Sequence, residues 1–483
     1  MNATYDVVII GAGAVGSLIA RELARYQLSI LLIDKNSDVG EGTTKANTAI
    51  VHAGYDAKPG SAKARLNVAG NRMFEILCGE LDIEFDRCGT LVAAMDADDL
   101  RTLEALRERG IANGVPGLEI LDAAATLAHA PALNPAVRGA LWAPTGGLVD
   151  PFQMALGAAE NAVMNGVELA LETLVTGFER QCKRLQGVVT DRGTFYTRWV
   201  IIAAGLWADD LMRKAGLTGF NIRPRKGEYY VLDRRTAEVM RSVLFPCPTP
   251  VSKGIMVTRT IHDNVLLGPN AVHVDDKNDL DVTAEGVDEV WQGALKLVPG
   301  LDRRDVIRSF AGLRASGSTD DFVISIPDEP QGLVVLAGIE SPGLTAAPAI
   351  ALQVCEMLRE AGLRLDEKPG FNPLRRAVPR LAQLSLAERR VLIEQDPRYG
   401  HIVCRCEGVS EGQVAAACHG PIPARTYDGL KRRTRLGSGR CQGAFDLPLV
   451  IDIMARELGI SPLEFTAKGG ASRYLVNPEE AGG

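Results

Sequence analysis

The sequence predicts an α/β protein in which a Rossmann-like dinucleotide-binding domain is interrupted by a mostly antiparallel substrate domain and followed by a small cysteine-bearing module. Three observations predict it. A glycine turn lies between two apolar runs almost at the N-terminus. A β-rich change of character begins at Asn221, lasts to about Ala311 and then reverts to the first style. Cys404, Cys406, Cys418 and Cys441 crowd into the last stretch of the chain.

The first observation is Tyr5 to Asp34, YDVVIIGAGAVGSLIARELARYQLSILLID. Val7 to Ile10 form a short apolar run suited to a strand buried on both faces. Gly11, Gly13 and Gly16 fit G-x-G-x-x-G. The first glycine permits the tight turn, the second lets a pyrophosphate approach the backbone, and the third allows close helix–strand packing. An Ala- and Leu-rich helix follows from Ser17, its N-terminus facing the phosphates. Ser29 to Ile33 is a second apolar run, and Asp34 closes it where an acid would hold a ribose hydroxyl pair. An ordinary strand–turn–helix unit is the alternative, and the motif by itself leaves FAD and NAD both open.

Composition is that of a soluble globular chain. The 483 residues are 46% hydrophobic and 23% charged, which suffices for two to four domains. A net charge of -7 argues against a general nucleic-acid binder. No apolar run is long enough to cross a bilayer, and the nucleotide motif starts too early to leave room for a leader, so a cytoplasmic protein is expected. Nine cysteines, an odd number, fit a reducing compartment better than a disulfide framework.

From Gly40 to Asn71 the chain is dense in Gly, Thr, Asn and Lys and reads as a functional loop passing into a helix near Ser61; within it, His52 is a candidate base. Asp98 to Asn113 reads as a solvent-faced helix, Trp142 to Asp150 as a turn-rich link and Pro151 to Asn165 as a helix. Val167 to Leu174, Gly187 to Val189 and Phe195 to Ala204 read as strands that return to a parallel sheet, with Gly205 at a close approach to the dinucleotide. YYVLD, IMVTRT and NVLLGP mark the second domain. Val334 to Ala337 and the helix from Ala346 to Leu358 restore the first, with Gly338 and Gly343 bracketing a loop. Arg314 sits in an apparent Gly-Leu-Arg turn and could clamp an anion, a surface ion pair being the alternative.

The expected domains are therefore 1–220 with 312–368 for the dinucleotide, part of 75–150 contributing to the substrate domain, 221–311 for the substrate, 369–398 as linker and 399–483 as the C-terminal module. In that module Cys404, Cys406 and Cys441 are placed to meet on loops, which suggests an iron–sulfur or zinc site. The run Lys431, Arg432, Arg433, Arg435 and Arg440 beside them reads as a solvated face, as an offset to thiolate charge, or as a dock for an acidic partner.

Together the stretches GAGAVG, GTTKANTAIVHAGYDAKPGSAKARLNVAGN, RPRKGEYYVLD, FAGLRASG, AGIESPGLTAAPAIA, CRCEGVSEG and KRRTRLGSGRCQG, spread over nearly the whole chain, resemble the glycine oxidase and D-amino-acid oxidase superfamily of FAD-dependent oxidoreductases. Within it they are most similar to anaerobic-type glycerol-3-phosphate dehydrogenase catalytic subunits with a C-terminal ferredoxin-like [2Fe-2S]-binding domain. The resemblance implies FAD rather than NAD and a [2Fe-2S] cluster. It implies FAD contacts from Gly11, Gly13, Gly16, Asp34, Lys35, Thr43, Thr44, Lys45, Asn47, Gly205, Gly338, Gly343, Leu344 and Thr345. His52 would lie beside the flavin on the substrate side and Arg314 would bind the substrate anion. The fourth cluster cysteine of the family is replaced here by Asp446, which is expected to ligate, with Cys418 or loss of the cluster as alternatives.

The implied activity is oxidation of glycerol 3-phosphate or a related small anionic alcohol, with electrons passed to the cluster. Oxidation of 2-hydroxyglutarate or of an amino or imino acid, and a silent electron-transfer subunit, are the alternatives. Electron-accepting or quinone-linked partners and peripheral association with the inner face of the membrane through such a partner are expected. Lys253 and Arg259 are candidate further cations for a substrate phosphate.

Overall fold

The computed structural model describes residues 4–248 and 254–476. Its first sheet has a parallel core of Thr4–Ile10, Ile30–Ile33, Glu168–Ala170, Gly193–Ile202 and Leu333–Ala337. An antiparallel hairpin, Val175–Gln181 with Arg184–Thr190, and the short Val323–Ser325 extend it. Val7, Val8, Ile9, Leu32, Ile201 and Val334 are fully buried, as a sheet covered on both faces requires. Helices Ala14–Leu23, Pro151–Met164 and Gly343–Glu360 cover one face.

The second sheet is nine-stranded and antiparallel except where Val243–Pro246 runs parallel to Thr90–Ala94. It draws Thr90–Ala94, Glu119–Asp122 and Gly139–Ala143 from the first third of the chain and the rest from Arg225 to Arg314. Arg314 is the last residue of strand Val306–Arg314, not part of a turn. Gly312, which gave the segment its turn-like look, is needed because a Cβ there would meet the Ala46 carbonyl oxygen at 2.2 Å. The stretch 142–150 likewise contains a strand, Gly147–Val149, paired with Ile50–Val51 and Phe85–Asp86. Both partners lie far back in the sequence, so local pattern could not reveal it.

The C-terminal module is a two-stranded hairpin, Ile402–Cys404 with Val409–Ser410, and helices Glu411–Cys418, Tyr427–Thr434 and Leu447–Leu458. It is docked by charge. Arg433 makes a two-pronged contact to Asp38, at 2.7 and 3.0 Å, and Arg432 reaches Asp38 at 2.9 Å and Glu41 at 3.0 Å. All four side chains are buried. Arg432 and Arg433 are therefore partnered rather than solvated; beside them Arg435 bonds Glu407, and Arg440, itself exposed, bonds Asp233. A second tether joins the linker: Arg380 reaches Asp150 and Glu84, with His262 between those two acids.

Burial raises the Asp38 carboxyl, but the two guanidiniums overcome it and hold the group at about 2. A depressed carboxylate stabilises the folded state above its unfolded value near 4, and that contribution is lost as pH falls through 2. Asp38→Ala leaves two arginines buried without their carboxylate and is expected to cost ~3–5 kcal/mol. Thermal melts of the variant should show the module separating at a lower temperature than in the parent; an unchanged melt would contradict the assignment.

Candidate functional site

A cavity of about 1660 Å³ opens where the parallel strands end and runs along the junction with the second sheet. Gly11 sits at φ +108°, and a Cβ there would lie 2.5 Å from the Ala203 carbonyl oxygen; a Cβ on Gly16 would lie 1.9 Å from the Gly11 oxygen. The turn exists only with glycine at both places. Helix Ala14–Leu23 starts on the cavity wall, and its first amide, Ala14 N–H, donates to Thr44 Oγ1 at 3.1 Å. Asp34 accepts from Ala12 N–H at 2.8 Å and from the Asn36 amide at 2.9 Å. Burial raises its carboxyl against those donors. A second helix, Gly343–Glu360, also begins at the wall.

Of the residues expected to hold the dinucleotide, Gly11, Gly13, Asp34, Lys35, Thr43, Thr44, Lys45, Asn47, Gly205, Gly343 and Leu344 line this cavity. Lys35 lies 3.8 Å over the Trp207 ring. Asn47 holds the turn itself, donating to Thr44 O at 2.7 Å and accepting from Ala49 N–H at 2.7 Å. Gly16, Gly338 and Thr345 stand behind the wall. Gly338 packs toward Phe220, and the buried Thr345 hydroxyl accepts from His52 N–H at 2.9 Å, which ties the residue after strand Ile50–Val51 to the second helix. The donor set and the glycine cradle fit a dinucleotide.

His52 also lines a smaller pocket of about 230 Å³ that shares Asp56, Arg225, Phe245, Glu340 and Ser341 with the large cavity. His52 Nε2 is 3.4 Å from Ser341 Oγ. Arg314 lines the large cavity, its guanidinium fixed by donation to the carbonyls of Arg225, Lys226 and Asn270 at 3.1, 3.1 and 2.6 Å. Arg225 lies directly opposite Arg314 in the strand ladder. Its Nη2 meets Glu340 at 3.0 Å, Lys63 meets the other Glu340 oxygen at 3.1 Å, and the buried Arg225 Nε has no hydrogen-bond partner. Burial raises Glu340, yet Lys63 and Arg225 bring it below the usual carboxylate value. Two facing guanidiniums and a lysine sharing one carboxylate leave positive charge in excess, which suits an anionic ligand.

Sequence reasoning missed Arg225, Lys63 and Glu340. The signal was the RPRK stretch itself, whose pairing with Arg314 depends on strand register across 89 residues. Arg259 is bound to Asp86 and Asp263, away from the cavity lining, and Lys253 lies outside the described residues.

In the C-terminal module Cys404 and Cys406 sulfurs are 3.7 Å apart, and those of Cys406 and Cys441 3.5 Å. Asp446 joins them: it accepts from Tyr427 Oη at 2.9 Å through Oδ1, while its buried Oδ2 has no partner. Burial raises the Cys404 thiol, opposed by the Gly437 N–H and assisted by Asp446. A Cβ on Gly439 would come within 2.6 Å of the Cys406 sulfur, so the loop is glycine where it closes on the thiols. Three thiols and an orphan carboxylate oxygen fit a [2Fe-2S] cluster. Cys418 is buried in helix Glu411–Cys418 near Glu457 and Arg433, and burial pushes it up to about 12.

The family described as FAD dependent oxidoreductase matches residues 6–357. The chain belongs to that family. In this FAD-dependent oxidoreductase, the BFD-like [2Fe-2S] binding domain matches residues 402–453, a span that contains Cys404, Cys406, Cys441 and Asp446. The glycerol 3-phosphate dehydrogenase of Caloramator mitchellensis is 44% identical over 477 residues, 99% of each chain. The glycerol 3-phosphate oxidase of Mycoplasma genitalium is 33% identical over 378 residues, covering 77% of this chain and 98% of its own. Among solved structures, dithionite-reduced L-α-glycerophosphate oxidase from Mycoplasma pneumoniae with FAD bound superimposes with a TM-score of 0.73 at 30% identity, over 77% of this chain and 98% of that one. The oxidoreductase takes FAD and a [2Fe-2S] cluster as its cofactors. No helix among its described residues is long and apolar enough to cross a membrane.

Proposed function

We propose that this oxidoreductase is a glycerol 3-phosphate dehydrogenase that passes its electrons to the [2Fe-2S] cluster. The observation that carries the reading is the pair Arg225 and Arg314, opposed in one ladder on the wall that also carries His52. Like charges facing across strands are unfavourable unless something negative lies between them, and a phosphate monoester is the right ligand for two guanidinium forks. His52 and Arg225 also line the small pocket of about 230 Å³, a volume suited to a small substrate.

Oxidising a secondary hydroxyl to a ketone removes a hydride from carbon and a proton from oxygen. Bound FAD supplies the hydride acceptor, and the bound cluster accepts electrons one at a time. His52 takes the hydroxyl proton at Nε2, steadied by Ser341 and by the Thr345 hydroxyl on its backbone. Arg225 and Arg314 hold the phosphate, and Glu340 keeps Arg225 and Lys63 turned toward it. Cys404, Cys406, Cys441 and Asp446 hold the cluster, and Tyr427 orients the carboxylate. Transfer beyond the flavin to a redox partner is supported by the extent of the likenesses: the relative named a dehydrogenase matches throughout, whereas the one named an oxidase leaves the remaining part of this chain unmatched.

Arg225→Met should raise KM for glycerol 3-phosphate so that kcat/KM falls by roughly 10- to 100-fold, the worth of a charge-assisted contact, while slow turnover of uncharged glycerol stays as it was. An unchanged KM would overturn the phosphate assignment. For the cluster, Cys418→Ala should purify with the parent's iron content and Asp446→Ala with less; equal retention by both would remove Asp446 as a ligand.

A further inference from the structure

Neither matched segment includes residues 466–473, yet this part of the chain reaches back to the nucleotide cavity. It is a tight hairpin closed by a bridge between Thr466 and Arg473. Ala467 N–H donates to Ser472 O at 2.7 Å, Lys468 N–H to Ser472 Oγ at 2.9 Å, and Gly469 N–H to Thr466 Oγ1 at 3.1 Å. Its base is fixed to helix Tyr427–Thr434: Tyr427 N–H donates to Thr466 O at 3.1 Å and Asp428 N–H to Ala467 O at 2.9 Å. That helix also carries Arg432 and Arg433, so the ion pairs that dock the module dock the hairpin as well.

The tip, Lys468 to Gly470, lines the large cavity. It rests on the loop that leaves strand Ile30–Ile33, three residues beyond Asp34: Ser37 Oγ donates to Lys468 O at 3.0 Å. Gly469, at φ +84°, could not approach with a side chain, because a Cβ would fall 2.6 Å from the Ser37 Cβ. Lys45 lines the same wall. Burial lowers its ammonium, Glu41 and Asp428 oppose that, and the charges of Arg432 and Lys468 add to it. Lys45 and Lys468 thus line the same cavity as the amide end of helix Ala14–Leu23, a setting suited to a phosphate-bearing ligand.

We propose that the C-terminal hairpin is part of the FAD site: its tip closes the adenosine end of the cavity, and Lys468 joins Lys45 in holding the pyrophosphate. This rests on the large cavity being the FAD site. Retention of the flavin then depends on docking of the iron–sulfur module.

The test uses the full-length protein with both cofactors. FAD affinity is measured from flavin fluorescence at several salt concentrations for the parent, Lys468→Ala, Lys468→Arg and Gly469→Val, with iron content and the melt of the FAD-free protein as controls. Lys468→Ala should weaken FAD by roughly 10-fold and flatten its salt dependence, and Lys468→Arg should restore both. Gly469→Val should weaken FAD without altering iron content. Parent-like affinity and salt dependence in Lys468→Ala and Gly469→Val would overturn the assignment while leaving the FAD site intact. A parent protein that binds no FAD would overturn the site and the assignment together.

Discussion

The architecture depends on one buried charge cluster, in which Asp38 and Glu41 on the nucleotide side receive Arg432 and Arg433 from the C-terminal module. Burying four charged groups is unfavourable by itself, and it is sustained here by geometry: Arg433 uses both prongs on Asp38 and donates its remaining N–H groups to the carbonyls of Ile422 and Gly429. The helix held in this way presents Tyr427 to Asp446 and the backbone of Tyr427 and Asp428 to the C-terminal hairpin. The fourth proposed cluster ligand and the closure of the nucleotide cavity therefore share a single anchor. A more apolar interface could have the same strength, but it would fix neither the rotation nor the register of that helix.

At the other end of the cavity the determining constraint is strand register. Pairing Arg225 with Arg314 places two guanidiniums side by side, and the three carbonyls that receive Arg314 prevent it from turning away. Glu340 compensates part of the charge from Arg225 and Lys63. The positive charge that remains suits an anionic ligand. His52 directly follows strand Ile50–Val51, and its backbone is held by Thr345, Asn67 and Asn71, so its position relative to the two arginines is set by the fold.

Much of this was legible in the sequence where function resides in contiguous residues. Gly11, Gly13, Gly16 and Asp34 lie within one strand–turn–helix–strand unit, and their steric demands are local. The convergence of Cys404, Cys406 and Cys441 was readable from a turn around Cys406 and a Gly-rich turn at Cys441, although Cys404 ends strand Ile402–Cys404 rather than lying on a loop, and the Asp446 position was readable from the family pattern. What could not be read were pairings across long sequence separations. Arg432 and Arg433 look like a solvated basic run until Asp38 is brought against them from nearly 400 residues away. Arg225 is one of three cations in RPRK, and nothing local marks it as the one that lies opposite Arg314. Gly312 looked like a turn, because a glycine required for the approach of a distant segment, here Ala46, carries the same local signature as one required for a bend.

Substrate electrons are expected to reach the module docked by that charge cluster. The direct measurement is an anaerobic titration of the purified protein with glycerol 3-phosphate, following flavin absorbance and the low-temperature EPR spectrum of the iron together. The flavin should bleach and a reduced [2Fe-2S] signal should grow with it. Bleaching in an iron-replete protein whose cluster stays EPR-silent would contradict the electron route, and absence of bleaching would contradict the substrate.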